Sequence, residues 1–108
     1  MKSAGKVPKV GDLYVLTRHG LGNPAGTLGV CYEVYKLDGC PGYSFIFANG
    51  GYDGFSPSEV NMFLIRIGRD ESVADYEFTN VMKLTEDFDN GRLGVVSQGP
   101  SGMMTIDI

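Results

Sequence analysis

The amino-acid sequence predicts a mainly β fold: a small, strongly curved antiparallel sheet followed by a C-terminal helical extension. Three observations carry this reading. From Lys9 to Gly68, short runs rich in Val, Ile, Leu, Tyr and Phe alternate with turn signals, in the order KVGDLYVL, GTLGVCYEVY, YSFIFANGGYDGFSPSE and VNMFLIRIG. The 108 residues include 16 glycines, well above the usual share of ~7%, as many tight turns require. Beyond Gly68 the strand pattern gives way to a stretch in which acids outnumber bases. The length suits one domain with a single core. Residues 1–8 read as a flexible arm, 9–68 as a barrel, and 69–108 as an acidic extension packed on or flanking it.

Each element follows from local chemistry. Gly11-Asp12 turns the chain into a first strand, Leu13 to Thr17. Arg18 to Gly26 is too rich in Gly and Asn-Pro for regular structure. The second strand is the longest, Leu28 to Tyr35 or Leu37, and strict alternation puts Val30, Tyr32 and Val34 on one face with Cys31, Glu33 and Tyr35 on the other. A turn over Asp38 to Gly42 leads to a third strand, Tyr43 to Phe47. Asn49-Gly50 then signals a type I′ hairpin, because both residues tolerate positive φ. The return strand, Tyr52 to Phe55, is short, and Gly54 marks a bulge or bend. Ser56, Pro57 and Glu59 form a capping box with proline at the first helical position. About one helical turn fits before Phe63 to Ile67 resumes as strand.

The remainder admits two patterns. Ser72-Val73-Ala74-Asp75 caps a helix over 72–88 whose apolar face is Ala74, Phe78, Val81, Met82 and Phe88. Tyr76, Phe78, Met82 and Leu84 also alternate, with Asn90-Gly91 as a hairpin turn before Arg92 to Val96. The helix is the favoured expectation. Gln98 to Gly102 is a turn or linker, and Met103 to Ile108 a terminal strand or frayed tail.

Five strands with one helical turn before the last resemble SH3-like barrels of the bacterial KOW/Tudor-like kind. The matching features are Gly11-Asp12, the glycine loop Gly20 to Gly29, the long second strand, the aromatic hairpin Phe45 to Phe55, the turn Ser56 to Val60 and the closing strand. The resemblance is one of pattern over residues 9–68 and carries no diagnostic motif. There is no Trp and no acidic Ala-Leu-Tyr-type motif, so it does not extend to recognition of proline-rich peptides.

Net charge is −4, and it is unevenly spread. Residues 1–69 carry Lys2, Lys6, Lys9, Arg18, Lys36, Arg66 and Arg69 against five acids, whereas residues 70–108 carry Lys83 and Arg92 against eight. A uniformly basic nucleic-acid footprint is missing. MKSAGKVPKV has lysines without an apolar h-region, and no apolar run nears the ~20 residues of a membrane span, so a cytoplasmic chain without membrane contact is expected. Cys31 and Cys40 read as buried or incidental thiols, with pairing across a hairpin the lesser alternative. One histidine and two separated cysteines do not supply a metal tetrad, and no cofactor is expected.

Several residues combine functional and structural chemistry. The glycine loop lacks the Lys-Ser/Thr pair and helix N-terminus of a phosphate cradle, so it reads as an inter-strand loop. His19 would need a nucleophile and an orienting acid to be catalytic, and reads better as a solvated loop residue. In Tyr52-Asp53-Gly54-Phe55-Ser56 the last three have structural roles, leaving Tyr52 and Asp53 as an aromatic-acidic contact for a peptide or a cationic side chain. Tyr14, Tyr32, Tyr35 and Tyr43 are too many for a small barrel to enclose. The acids Asp70, Glu71, Asp75, Glu77, Glu86, Asp87 and Asp89 form a solvated face or an imitation of nucleic-acid phosphates aimed at a basic partner.

These observations lead to a non-catalytic module that binds another protein, a small adaptor or inhibitor using its acidic extension. Its expected contact residues are Arg18, His19, Tyr35, Tyr52, Asp53, Asp75 and Glu86. The first alternative is a KOW/Tudor-like nucleic-acid-binding barrel using Arg18, Lys36 and Arg66. The second is a small enzyme centred on His19. Self-association through uncovered sheet edges is a further option.

Overall fold

The computed structural model describes residues 7–19 and 22–98. Five strands, β1 (Asp12–Leu16), β2 (Leu28–Leu37), β3 (Cys40–Phe47), β4 (Tyr52–Phe55) and β5 (Leu64–Arg69), form one antiparallel sheet in the order β4-β3-β2-β1-β5. A helix, α1 (Pro57–Phe63), precedes β5, and a second, α2 (Val81–Asp89), follows it. The fold is therefore mainly β and barrel-like with a partly helical extension, as the sequence predicts. The expected linker after Gln98, the tail from Met103, the arm before Val7 and the Gly20-Leu21 part of the glycine loop lie outside the described residues.

The hairpins differ from expectation in an instructive way. Asp38 and Gly39 take φ of 54° and 81°, and Leu37 pairs with Cys40 across them. Positive φ at both central residues is the signature of a two-residue type I′ turn, so β3 begins at Cys40, not Tyr43. Asn49-Gly50 is not such a turn. Gly50 alone takes positive φ, at 92°, and donates its N–H to Phe47 O at 2.7 Å, while Phe47 N–H reaches Gly51 O at 2.8 Å. Asn49 instead uses its side-chain oxygen to accept from Gly51 N–H at 2.9 Å, which closes a three-residue loop around an Asx turn.

The expected capping box is present. Glu59 N–H donates to Ser56 Oγ at 3.2 Å and Ser56 N–H donates to Glu59 Oε1 at 2.9 Å. The helix it starts runs seven residues, nearly two turns instead of one. The added turn lets Phe63 join buried Val60 against the sheet, and Phe63 O accepts from Thr17 N–H at 2.8 Å.

Both faces of the sheet are buried. On one, Tyr14, Leu16, Cys31, Tyr43, Phe45, Phe47 and Phe55 pack under Val60 and Leu64. Phe45 is the hub, with ring centroids 5.1 Å from Tyr14 and 5.6 Å from Phe55, both edge-on. On the other, Val15, Leu28, Val30, Tyr32 and Ile46 are covered by Val73, Leu84, Leu93 and Val96 of the extension. Residues 28–32 are accordingly buried without alternation. Each of those covering side chains contributes roughly 1.5–3 kcal/mol by leaving water. The extension is thus a layer of the fold.

The register of β2 breaks between Cys31 and Glu33. This bulge puts one extra residue into the strand, so Glu33 and Tyr35 move to the face of Tyr32 and the predicted alternation fails beyond Cys31. No register shift occurs at Gly54. Gly54 leaves room for Tyr35 instead: a Cβ there would lie 2.6 Å from the Tyr35 hydroxyl, and a Cβ at Gly42 would meet the Tyr35 ring itself. Gly29 bears the same relation to Phe47, where a Cβ would lie 2.6 Å from the ring.

The predicted helix over 72–88 is corrected. Asp70 caps a short 3-10 turn at Glu71–Val73, the chain then runs without helix to Asn80, and α2 starts only at Val81. Asn80 Oδ1 accepts from Lys83 N–H at 2.8 Å, a stronger cap than Ser72 can offer to a stretch whose Tyr76 and Phe78 pack against the second face. Asn90-Gly91 is not a hairpin: Asn90 N–H bonds Glu86 O, and Gly91, at φ 77°, ends the helix in the left-handed conformation. A final 3-10 turn covers Gly94–Ser97.

Candidate functional site

The expected site residues fall on three parts of the fold. Arg18 and His19 are exposed just past β1, and the Arg18 guanidinium lies 5.6 Å from the centre of the Phe63 ring. This cation–π contact ties Arg18 to the last residue of α1. Tyr35 is half-buried by its two glycines. Tyr52, at 45% exposure, shares its face of the sheet, because Tyr52 pairs with Ile46 of the second core. Asp53 pairs with Phe45 of the first core, so it points to the opposite face, where its carboxylate accepts from Gly54 N–H at 2.7 Å. The acid that accompanies the tyrosines is instead Glu33, which accepts from Ser44 Oγ at 3.2 Å. Tyr14, Tyr32 and Tyr43 are buried, and burial pushes the hydroxyls of Tyr14 and Tyr32 up to about 12.

The acids of the extension divide into structural and free-standing sets. Asp70 accepts from Ser72 N–H at 3.0 Å, Ser72 Oγ at 2.6 Å and Val95 N–H at 2.8 Å. Burial opposes its charge, yet these donors outweigh burial and hold its carboxyl below the ordinary value. Asp87 is buried and accepts from Lys83 Nζ and the Tyr76 hydroxyl at 2.8 Å and from Arg92 at 3.3 Å. The Lys83 bond is the largest reason its carboxyl is also lowered, against burial. Asp75 and Glu86 are exposed, but the break before α2 removes the shared helix face expected for them.

Helix α2 presents the most distinctive outer surface. Leu84 and Asp87 face inward, which leaves Val81 at 42% and Met82 at 83% exposure. With Thr85, Glu86, Asp89 and Asn90 they line an open depression of about 770 Å³. An apolar side chain standing almost free beside carboxylates offers a knob with an acidic rim. The sequence places Met82 in the core, since the two competing periodicities both turn it inward, and the structure places it outside.

A second feature was not foreseen. Tyr14 pairs with Arg66 and Leu13 with Gly68, so Ile67 is an extra residue in β5. In an unbroken strand residues three apart point to opposite faces; here the bulge lets Arg66 and Arg69 converge on one carboxylate. Asp12 Oδ1 accepts from Arg69 Nη1 at 2.8 Å and Arg66 Nη2 at 3.4 Å, and Oδ2 accepts from Lys9 N–H at 3.0 Å. Burial raises the Asp12 carboxyl, but those three donors together leave it lowered. Lys36, the third cation of the nucleic-acid alternative, is exposed near the tip of the β2–β3 hairpin, opposite Pro41.

Cys31 is buried and Cys40 exposed, and both are free thiols. Among the described residues no group of three His, Cys, Asp or Glu side chains is placed to hold a metal, and no helix is long and apolar enough to cross a membrane. Comparison with protein-family models, with curated proteins and with solved structures returned no match.

Proposed function

We propose that this chain is an SH3-like barrel that acts as a non-catalytic protein-binding module, with the outer face of α2 as its contact surface. The strand order, with a helix before the closing strand, supports the barrel reading. The observation that carries the binding reading is Met82, 83% exposed beside Val81, Glu86 and Asp89 on a helix whose inner face is fixed to the core. The chemistry calls for a partner with an apolar socket rimmed by Lys or Arg, because the apolar knob supplies affinity and the acids supply orientation and rate of encounter. The test is affinity capture from nuclease-treated lysate with the full chain and with a Met82→Lys, Glu86→Lys variant. A stoichiometric protein held by the parent and lost by the variant is expected. Equal retention by both overturns the assignment of this surface.

Nucleic-acid binding is the second reading, favoured by the convergence of Arg66 with Arg69 and Lys9 and disfavoured by the net charge of −4 and the remote position of Lys36. Capture that disappears after nuclease treatment would move the reading there.

A further inference from the structure

We propose that the cleft between Lys9, Arg66 and Arg69 is a binding site for the phosphoryl group of a phosphomonoester. This is independent of the α2 surface and of its partner. The cleft has a volume of about 300 Å³ and is lined by Val7, Lys9, Asp12, Arg66 and Arg69.

Its construction points to a ligand for three reasons. First, the bulge at Ile67 brings two guanidinium groups to one side of β5, which an unbroken strand would not do. Second, Asp12 is 4% exposed and accepts from both guanidinium groups and from the Lys9 backbone N–H, so it positions the two arginines on the segment that carries Lys9. Among the described residues Arg66 meets it through Nη2 alone, at 3.4 Å, and its Nη1 and Nε carry no other hydrogen bond. Arg69 is engaged more fully, by Asp12 through Nη1 and by Glu71 through Nε at 3.1 Å. Lys9 touches Asp12 through its backbone N–H, and among the described residues its ammonium makes no ion pair. Third, the formal balance of Lys9, Arg66 and Arg69 against Asp12 and Glu71 is positive, and the Glu71 carboxylate is 80% exposed at the margin.

The arrangement also selects the class of anion. A carboxylate is planar and satisfied by one guanidinium fork. Cations from separate positions suit a tetrahedral group with three free oxygens and a charge near −2, which is a phosphomonoester at neutral pH. The cleft exceeds a phosphate in size, and half-exposed Val7 supplies an apolar wall for the organic part.

The test is NMR titration of the full chain, read at the arginine Nε–H and Lys9 amide signals, with phenyl phosphate, inorganic phosphate, sulfate and a single-stranded oligonucleotide as probes. Expected is saturable binding of phenyl phosphate, tighter than sulfate, weakened about tenfold or more by Arg66→Gln, as loss of a hydrogen bond to a charged group predicts. Lys9→Gln is the second variant; it keeps the backbone bond to Asp12 and should weaken binding similarly without loss of fold. Saturable oligonucleotide binding that exceeds phenyl phosphate and falls steeply with salt would overturn the monoester assignment and give the cleft to nucleic-acid phosphodiesters. Absence of saturation at millimolar phenyl phosphate, or binding unchanged in both variants, overturns the proposal.

Discussion

Replacing Asp70 by alanine should destabilise the domain by about 2–5 kcal/mol, although the sequence reading leaves this acid on a solvated face. Its carboxylate caps the turn at Glu71–Val73 through Ser72 and reaches across the fold to Val95 N–H at 2.8 Å. Losing an N-cap of this type costs roughly 0.5–2 kcal/mol, and losing a hydrogen bond to a charged group about 1.5–3 kcal/mol. A Cβ added to Gly94 would clash with Asp70 itself, so the neighbouring turn is built around this side chain. Against a total stability of ~5–15 kcal/mol for a domain of this kind, the change is large. Urea unfolding should show a lower midpoint at unchanged slope, and hydrogen exchange should show faster loss of the Val95 amide. Asp75→Ala, at an exposed position, is the control and should do almost nothing. A shift below ~0.5 kcal/mol for Asp70→Ala, within the range of ordinary surface substitutions, would refute the clamp.

Other outcomes follow from the same contacts. A chain ending at Arg69 uncovers Val15, Leu28, Val30, Tyr32 and Ile46 together; it should lose near-UV circular dichroism and bind a hydrophobic dye, and a cooperative unfolding transition would contradict the two-faced core. Asp12, Asp70 and Asp87 are all held below the ordinary 3.8. Their contribution to stability is therefore complete above that pH and declines as pH falls through the lower folded values, so the urea midpoint should drop on acidification below about pH 4. A midpoint that rises there would be decisive against it. Gly29→Ala must displace the Phe47 ring and should cost about 1–3 kcal/mol; Gly39→Ala, strained by its φ of 81° in open space, should cost only about 1 kcal/mol. Equal midpoints in thermal melts would show that the ring can move aside. Burial pushes the Cys31 thiol up to about 12 while Cys40 is exposed, so a thiol reagent should modify one cysteine in the native chain and two in urea.

The strands, the capping box and the helix before β5 were legible because each is a local pattern: alternation, a Ser-Pro-x-Glu start, a Gly-rich break. The extension was not, since Phe78 and Met82 fit helical and alternating periodicity alike, and the destination of Phe78 is a sheet face formed far earlier in the chain. The turns were misassigned because Asp-Gly and Asn-Gly offer the same signal, and the side-chain bond of Asn49 to Gly51 decides between them only after folding. The two bulges left no mark in composition. Without the one at Ile67, no spacing argument brings Arg66 and Arg69 to Asp12. Met82 was hidden for the reason opposite to Asp70: an apolar residue taken for core, and an acid taken for solvent.

Two rings pack against glycines directly across the sheet: Phe47 on Gly29, and Tyr35 on Gly42 with its hydroxyl near Gly54. Neither member of such a pair can be exchanged alone without a collision or a void. Divergent descendants of this chain should therefore inherit each pair intact or alter both members together. The strand faces around them drift under the looser demand of being apolar. A small residue and a ring, 18 positions apart in one case and seven in the other, would then outlast most of the surrounding sequence. Lineages too distant to align by overall identity should still share that spaced signature.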